Sequence, residues 1–258
     1  MPSDGAGNDA ILRLEQVGHN FGGLAVLRSV TFSVPDNGIV GLIGPNGSGK
    51  TTLFNTISGF LLPRKGTIAY RGEALGSSSI QERSRRGLLR TFQTPKVFEN
   101  MTVLENIMVG CCEGTHTTIL QDLARSPHAR RERRVIEELA DATLQKFGLT
   151  PLRDALSSNL TAGQRRILEI ARAVVGQPKL LLLDEPSSGL NPEEIDNLRR
   201  WIVQLRSEGI SILLVSHDME LMTVTDLVHV LYFGEIITSG SMDEIKSNPR
   251  VREVYLGV

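Results

Sequence analysis

Residues Gly44-Pro45-Asn46-Gly47-Ser48-Gly49-Lys50-Thr51 fit the pattern G-x-x-x-x-G-K-[ST]. No other stretch constrains the chain as much, because this octapeptide, a P-loop, requires a strand before it and a helix after it. Both can be read. Ile39-Val40-Gly41-Leu42-Ile43 is a short apolar run of buried-strand type, and Thr52-Leu53-Phe54-Asn55-Thr56-Ile57 starts a helix. The glycines let the backbone wrap an anion, and N–H groups at the helix N-terminus point at phosphates. Lys50 can reach the β and γ groups, Thr51 is expected to ligate Mg²⁺ through its hydroxyl, and Thr52 is expected to join the nucleotide contacts. The motif alone does not separate an ATPase from a GTPase or a kinase.

A second nucleotide signal lies far downstream. Pro178-Lys179-Leu180-Leu181-Leu182-Leu183 has the pattern of a buried parallel strand and ends in Asp184-Glu185. Ligands of open α/β sheets sit at the carboxyl ends of strands, which would bring both carboxylates to the P-loop. Asp184 suits the Mg²⁺ shell, and Glu185 can hold and deprotonate an attacking water. Ser211-Ile212-Leu213-Leu214-Val215-Ser216 is a further buried strand ending at His217, which is read as a γ-phosphate contact. His19, His116, His128 and His229 show no ligand spacing, so no metal site is assigned to them.

Around these marks the pattern changes along the chain. From Ile11 to Val34 it is strand-like across a glycine turn, as in an antiparallel edge sheet, and Phe21 in the turn is either an adenine platform or a core residue. Gly66 to Gly72 is another short strand. Arg83, Arg85, Arg86 and Arg90 read as a solvated charged face, with a phosphate or partner contact as the alternative. Thr102-x-x-Glu105 is a capping box opening a helix, and Arg131 to Phe147 forms a second helix stopped by Gly148 and Pro151. Arg130, Arg131, Arg133 and Arg134 are expected to pair with Glu137, Glu138 and Asp141, or else to meet a membrane surface or partner. Residues 94–157 therefore read as a helical insert within an α/β core made of 11–93 and 158–258, with 1–10 as a frayed tail. Val228 to Thr238 is a hairpin about Gly234, and Met242 to Lys246 is a short helix capped by Ser241.

Composition narrows the setting. With 258 residues, 40% hydrophobic, the chain can fill one large α/β domain or a core with an insert. A net charge of −1 offers no global field for nucleic acid, and none is expected as a partner. Cys111 and Cys112 are adjacent and form no disulfide framework, which fits a reducing compartment. The acidic, small-residue start is unlike a signal peptide, and no apolar run approaches the ~20 residues of a membrane span. A membrane role is expected to come through a partner.

Leu160-Thr161-Ala162-Gly163-Gln164, followed by Arg165-Arg166-Ile167-Leu168-Glu169-Ile170-Ala171-Arg172, resembles the signature of ABC ATPases. Physically it is a small-residue loop opening an amphipathic helix, with Ile167, Ile170, Ala171 and Val174 on one face. The other family marks follow in order: Gln93 matches the Q-loop glutamine, Asp184-Glu185 the Walker-B pair, Ser188-Gly189-Leu190-Asn191 the D-loop, His217 the switch histidine and Phe21 the adenine-stacking aromatic. The resemblance covers essentially residues 11–258. It implies a P-loop NTPase (RecA-like) core with an antiparallel β edge subdomain and an inserted α-helical subdomain. It also implies ATP and Mg²⁺ as cofactors, with Thr51, Gln93 and Asp184 at the metal. In such a dimer Thr161, Ala162, Gly163 and Gln164 face the nucleotide held by the other protomer's P-loop.

The chain is further similar to ATPases of branched-chain amino-acid, amide and urea importers, through Phe21-Gly22-Gly23-Leu24, Gly189-Leu190-Asn191-Pro192 and the ending Asn248-Pro249-Arg250-Val251-x-x-x-Tyr255-Leu256-Gly257. The lipopolysaccharide-export ATPase is the rival likeness. The implied partners are a second ATPase subunit, membrane permease subunits and indirectly a solute-binding protein, at the cytoplasmic face of the membrane. Two departures stand out. The signature has Thr161 and Ala162 where serine and glycine are commoner; Thr161 keeps a hydroxyl, while the methyl of Ala162 can limit approach of the partner's nucleotide. Asn191 stands where the general family has aspartate.

Overall fold

A computed structural model describes residues 10–111 and 127–256. The expected tail up to residue 9, Cys112 and His116 lie outside these residues. Strand β1 (Ala10–Phe21) forms an antiparallel hairpin with β2 (Leu24–Pro35), and Ala10 is paired with Pro35. With β4 (Lys65–Tyr70) and β5 (Glu73–Ala74) these strands make a four-stranded antiparallel sheet in the order β2-β1-β4-β5.

The second sheet comprises β3 (Ile39–Ile43), β6 (Leu88–Arg90), β7 (Leu180–Asp184), β8 (Ser211–Val215), β9 (Leu227–Tyr232) and β10 (Glu235–Gly240), in the order β10-β9-β3-β8-β7-β6. All of its pairs are parallel except β9 with β10. Every residue of β3, β7 and β8 is buried, as expected of strands covered on both faces. The two-residue period then divides them between two cores. Ile39, Ile43, Leu181, Leu183, Ile212 and Leu214 face one, and Val40, Leu42, Leu180, Leu182, Leu213 and Val215 face the other. Each fully buried aliphatic side chain contributes about 1.5–3 kcal/mol.

Helix α1 (Lys50–Ser58) and the antiparallel sheet supply the second core through Leu53, Phe54, Ile57, Leu12 and Val30. On the other face pack α3 (Val103–Cys111), α4 (Pro127–Lys146), α5 (Ala162–Val175) and α6 (Pro192–Ser207). Between β6 and β7 the described chain is α3, α4, two short 3₁₀ turns and α5. The Thr102–Glu105 capping box opens α3, and buried Asn106 ties α3 to the later turn by donating to Ser157 Oγ at 2.8 Å. The end of the chain adds α7 (Met242–Ser247), capped by Ser241, and α8 (Pro249–Leu256).

Two charge expectations need correction. Arg134 pairs with Glu138 at 3.1 Å, but Glu137 and Asp141 are taken by Arg153, at 2.8 and 2.7 Å. Arg153 follows α4 in the chain, and its planar fork satisfies both carboxylates at once. The arginine run after β5 is not one solvated face either. From α2 (Ile80–Arg85), Arg83 is only 1% exposed and donates to the carbonyls of Thr56 (2.8 Å) and Ile57 (2.7 Å) in the last turn of α1. Those carbonyls lack intrahelical donors, and a cation there also meets the negative end of the helix dipole. Arg86 pairs with Glu73, Arg85 stays exposed, and Arg90 turns into the site described next.

Candidate nucleotide site

Parallel pairing brings the separated motifs to the carboxyl ends of neighbouring strands. Leu42 of β3 lies opposite Val215 of β8, and Val215 lies opposite Asp184 of β7, so the three strands end level with one another. The P-loop leaves β3, Asp184-Glu185 ends β7, His217 follows β8, and Gln93 follows β6. A cavity of about 270 Å³ opens there, lined by Asn46, Gly47, Gly49, Lys50, Thr51, Thr52, Gln93, Asp184 and Glu185, with Val26 and Val215 as apolar walls.

The floor of this cavity is the start of α1. Its N-cap is Gly49, in a left-handed conformation at φ 110°, and no side chain caps the helix. By contrast α2, α5, α6 and α7 close their own N-termini with complete capping boxes, from Ser79, Thr161, Asn191 and Ser241. The first-turn N–H groups of α1 have no intrahelical acceptors, so an anion in the cavity can take them. Lys50 Nζ donates to the carbonyls of Gly44 (2.6 Å) and Pro45 (3.0 Å), folding its side chain back over the loop. Burial lowers the Lys50 pKa, and the carboxylates of Glu185 and Asp184 oppose that shift. Ser48 Oγ is buried with no hydrogen-bond partner, a polar group left open inside the loop.

The acidic wall is braced from β6. Asp184 Oδ2 accepts from Arg90 Nη2 at 2.8 Å, with both side chains almost fully buried. The Asp184 N–H donates to Thr91 Oγ1 at 3.3 Å. Glu185 is held at φ 50°, an unfavourable conformation for a side-chain-bearing residue, by its N–H bond to the Val215 carbonyl at 2.8 Å. Its Oε2 lies 2.8 Å from His217 Nδ1 and accepts the His217 backbone N–H at 3.3 Å. His217 is itself well exposed at the rim.

The remaining sequence-predicted residues do not line this cavity. Phe21 is half exposed at the end of β1, with its ring edge-on to His19 at 4.8 Å. Thr161 caps α5, Thr161 Oγ1 accepts the Gln164 N–H, and Gln164 Oε1 accepts the Thr161 N–H. Two backbone donors of the segment expected to face a partner's nucleotide are thus engaged within the loop, while Thr161 and Ala162 remain exposed. At Gly163 a methyl would come within 2.8 Å of the Glu194 carboxylate of α6, the end of a side chain that would have to shift. Arg90, Thr91, Val26 and Val215 belong to the site and were not read as such from the sequence. Their types carry no signal, since only strand register places them against the carboxylates and the P-loop.

This end of the sheet, with a helix start that no side chain caps facing two strand-end carboxylates, defines a P-loop nucleotide-hydrolysing cassette. Residues 27–188 match the model of the family described as ABC transporter, and the chain belongs to that family. Residues 235–258 match a second model, described as branched-chain amino acid ATP-binding cassette transporter. The chain is 39% identical over 249 residues, 96% of this chain and 98% of the relative, to the high-affinity branched-chain amino acid transport ATP-binding protein BraF of Pseudomonas aeruginosa. It is 33% identical over 249 residues, 96% of this chain and 98% of the relative, to the lipopolysaccharide export system ATP-binding protein LptB of Haemophilus influenzae. Among solved structures it is similar to an ATP-binding cassette of an ABC transporter in its ADP conformation, with TM-score 0.83, 32% identity and coverage of 96% and 99% of the two chains. The protein is an ABC-type ATPase, the ATP-binding subunit of a transporter. Among the described residues no helix is long and apolar enough to cross a membrane.

Proposed function

We propose that this chain drives uptake of branched-chain amino acids, or of amides or urea, by hydrolysing MgATP beside membrane permease subunits on the cytoplasmic face. The importer likeness at 39% identity against 33% for the export protein, together with the match of residues 235–258, supports this cargo class. The observation that carries the catalytic reading is the uncapped start of α1, which faces Asp184 and Glu185 across one cavity.

In this reading the first-turn N–H groups and Lys50 neutralise the phosphates, and Phe21 offers an adenine face. The donors fit Mg²⁺: the Thr51 hydroxyl, the Gln93 amide oxygen and the Asp184 carboxylate are hard oxygens of residues lining one cavity. Among the described residues no group of three His, Cys, Asp or Glu could hold a metal ion. A Mg²⁺ ion completed by substrate phosphates and water needs no such cage. Bound there, Mg²⁺ would offset charge on the β and γ phosphates. Glu185 takes the proton of the attacking water while His217 orients the carboxylate and reaches the γ-phosphate. Thr161 to Gln164 are this chain's contribution to the site of a second ATPase subunit, so the working unit is a dimer.

Glu185→Gln tests the reading. The variant should bind ATP as the unchanged chain does and accumulate closed dimers, with turnover lowered by ~10²–10⁴. Undiminished phosphate release in the assembled transporter would remove Glu185 from this role.

A further inference from the structure

The segment carrying Gln93, residues 91–98, contains no helix or strand, yet its backbone is gripped from α5. Glu169 Oε1 accepts the N–H groups of Phe92 at 3.2 Å and Lys96 at 3.1 Å. Arg166 donates to the carbonyls of Phe92 and Gln93, and Arg172 to that of Lys96. The clamp closes on itself through Glu169 Oε2 and Arg166 Nη1 at 3.0 Å, three residues apart on α5. Arg166 is 1% exposed and Glu169 3%.

A buried ion pair is a poor way to add stability, because desolvating both charges offsets most of their attraction. The cost is visible here: burial raises the Glu169 pKa and lowers that of Arg166, and each partner only opposes the shift in the other. What the pair supplies is position. The Phe92 and Gln93 carbonyls lie in the two peptide planes that flank the Gln93 Cα, so fixing both leaves Gln93 only its side-chain torsions. Apolar side chains of the same volume would fill the space without holding either plane.

From this geometry we propose that Glu169 and Arg166 are positioning residues for Gln93, making the Gln93 loop and the α5 helix one mechanical body. The inference rests on the reading of Gln93 as a contact to the phosphate site. Its consequence is a built-in link: α5 begins at Thr161, so displacement of Gln93 at this chain's own cavity displaces the Thr161–Gln164 loop with it.

Hydrogen exchange on the full chain without nucleotide is the first measurement. Phe92 and Lys96 amides, although in a loop, should exchange slowly, and free exchange in the unchanged chain would overturn the clamp outright. Glu169→Gln keeps the shape but turns an NH₂ either toward Arg166 or toward the two backbone donors. Arg166→Lys keeps the charge but loses the fork. Each should speed exchange of those amides about tenfold, the effect of losing one charged hydrogen bond. In the assembled transporter each should lower kcat about tenfold while KM for ATP stays within about twofold.

Gln93→Ala should lower turnover in the unchanged chain and add little to Glu169→Gln. Full additivity of the two, or unchanged exchange in a folded variant, would refute the positioning role. If Gln93→Ala alone costs no turnover, the assignment of Gln93 fails instead, and the exchange measurement still judges the clamp.

Discussion

At the scale of single residues, Arg90 is the side chain whose role least follows from its sequence surroundings. It donates to Asn55 Oδ1 (2.7 Å), Ser58 Oγ (3.0 Å) and Asp184 Oδ2 (2.8 Å), and its guanidinium lies 5.4 Å from the ring centres of Phe54 and Phe92. This is an aromatic-lined slot suited to a planar cation. Arg90→Ala would leave Asp184 as a buried carboxylate without its counter-charge, and should cost about 3–5 kcal/mol of unfolding free energy in urea titration. Arg90→Lys should recover only part of that loss, because an ammonium cannot make the three forked bonds together. That Lys50, Thr51, Asp184 and Glu185 meet at one cavity was legible, the first two from the spacing of the P-loop and the last two from their place at the end of a buried-strand run. Arg90 was not, because an arginine in a charged run has the same local signature whether it faces water or a carboxylate.

At the scale of elements, the helix starts are the most sequence-legible part of the molecule. The Thr102–Glu105 box and the Ser241 cap were read directly, and a box works through contacts three residues apart. Asn191 is instructive because it stood out as a departure at the D-loop. In the structure its Oδ1 accepts the Glu194 N–H at 2.9 Å and its N–H donates back to Glu194 at 2.8 Å, with Pro192 in the first turn of α6. Either Asn or Asp fills that role, so Asn191→Asp should change stability by less than about 0.5 kcal/mol. Asn191→Ala should lose about 1 kcal/mol, read from the denaturation midpoint. The helix breaks were legible as well: α4 ends at Lys146, just before Gly148 at φ 68°. The pairing of Glu137 and Asp141 with Arg153 was not, since it depends on where the chain returns after the helix.

At the scale of the whole molecule, stability depends on burying groups that water would otherwise protonate. His229, on β9, is 5% exposed, with Nδ1 2.6 Å from Ser239 Oγ on β10, and burial lowers its pKa from 6.5 to about 4. An unfolded chain binds a proton there below 6.5 while the folded one does so only near 4. The contribution is therefore complete above pH 6.5 and lost as pH falls toward 4, on the order of 3 kcal/mol across that window. His229→Gln removes this titration, so the stability gap between the unchanged chain and the variant should shrink from pH 7.5 to pH 4.5. A gap constant over that range in thermal unfolding would show that His229 is not the titrating group. The sequence by itself determined the α/β class, the P-loop and the strand-end carboxylates, because each is written in short-range periodicity or in a spacing of a few residues. Only the tertiary structure decided that Arg90 and Thr91 brace Asp184, that Arg166 and Glu169 hold the Gln93 loop, and that the start of α1, which no side chain caps, faces Asp184 and Glu185 across a cavity. Those contacts join residues some seventy to ninety positions apart, and neither the parallel register of β6 with β7 nor the seat of α5 against the Gln93 loop has a local trace in the chain.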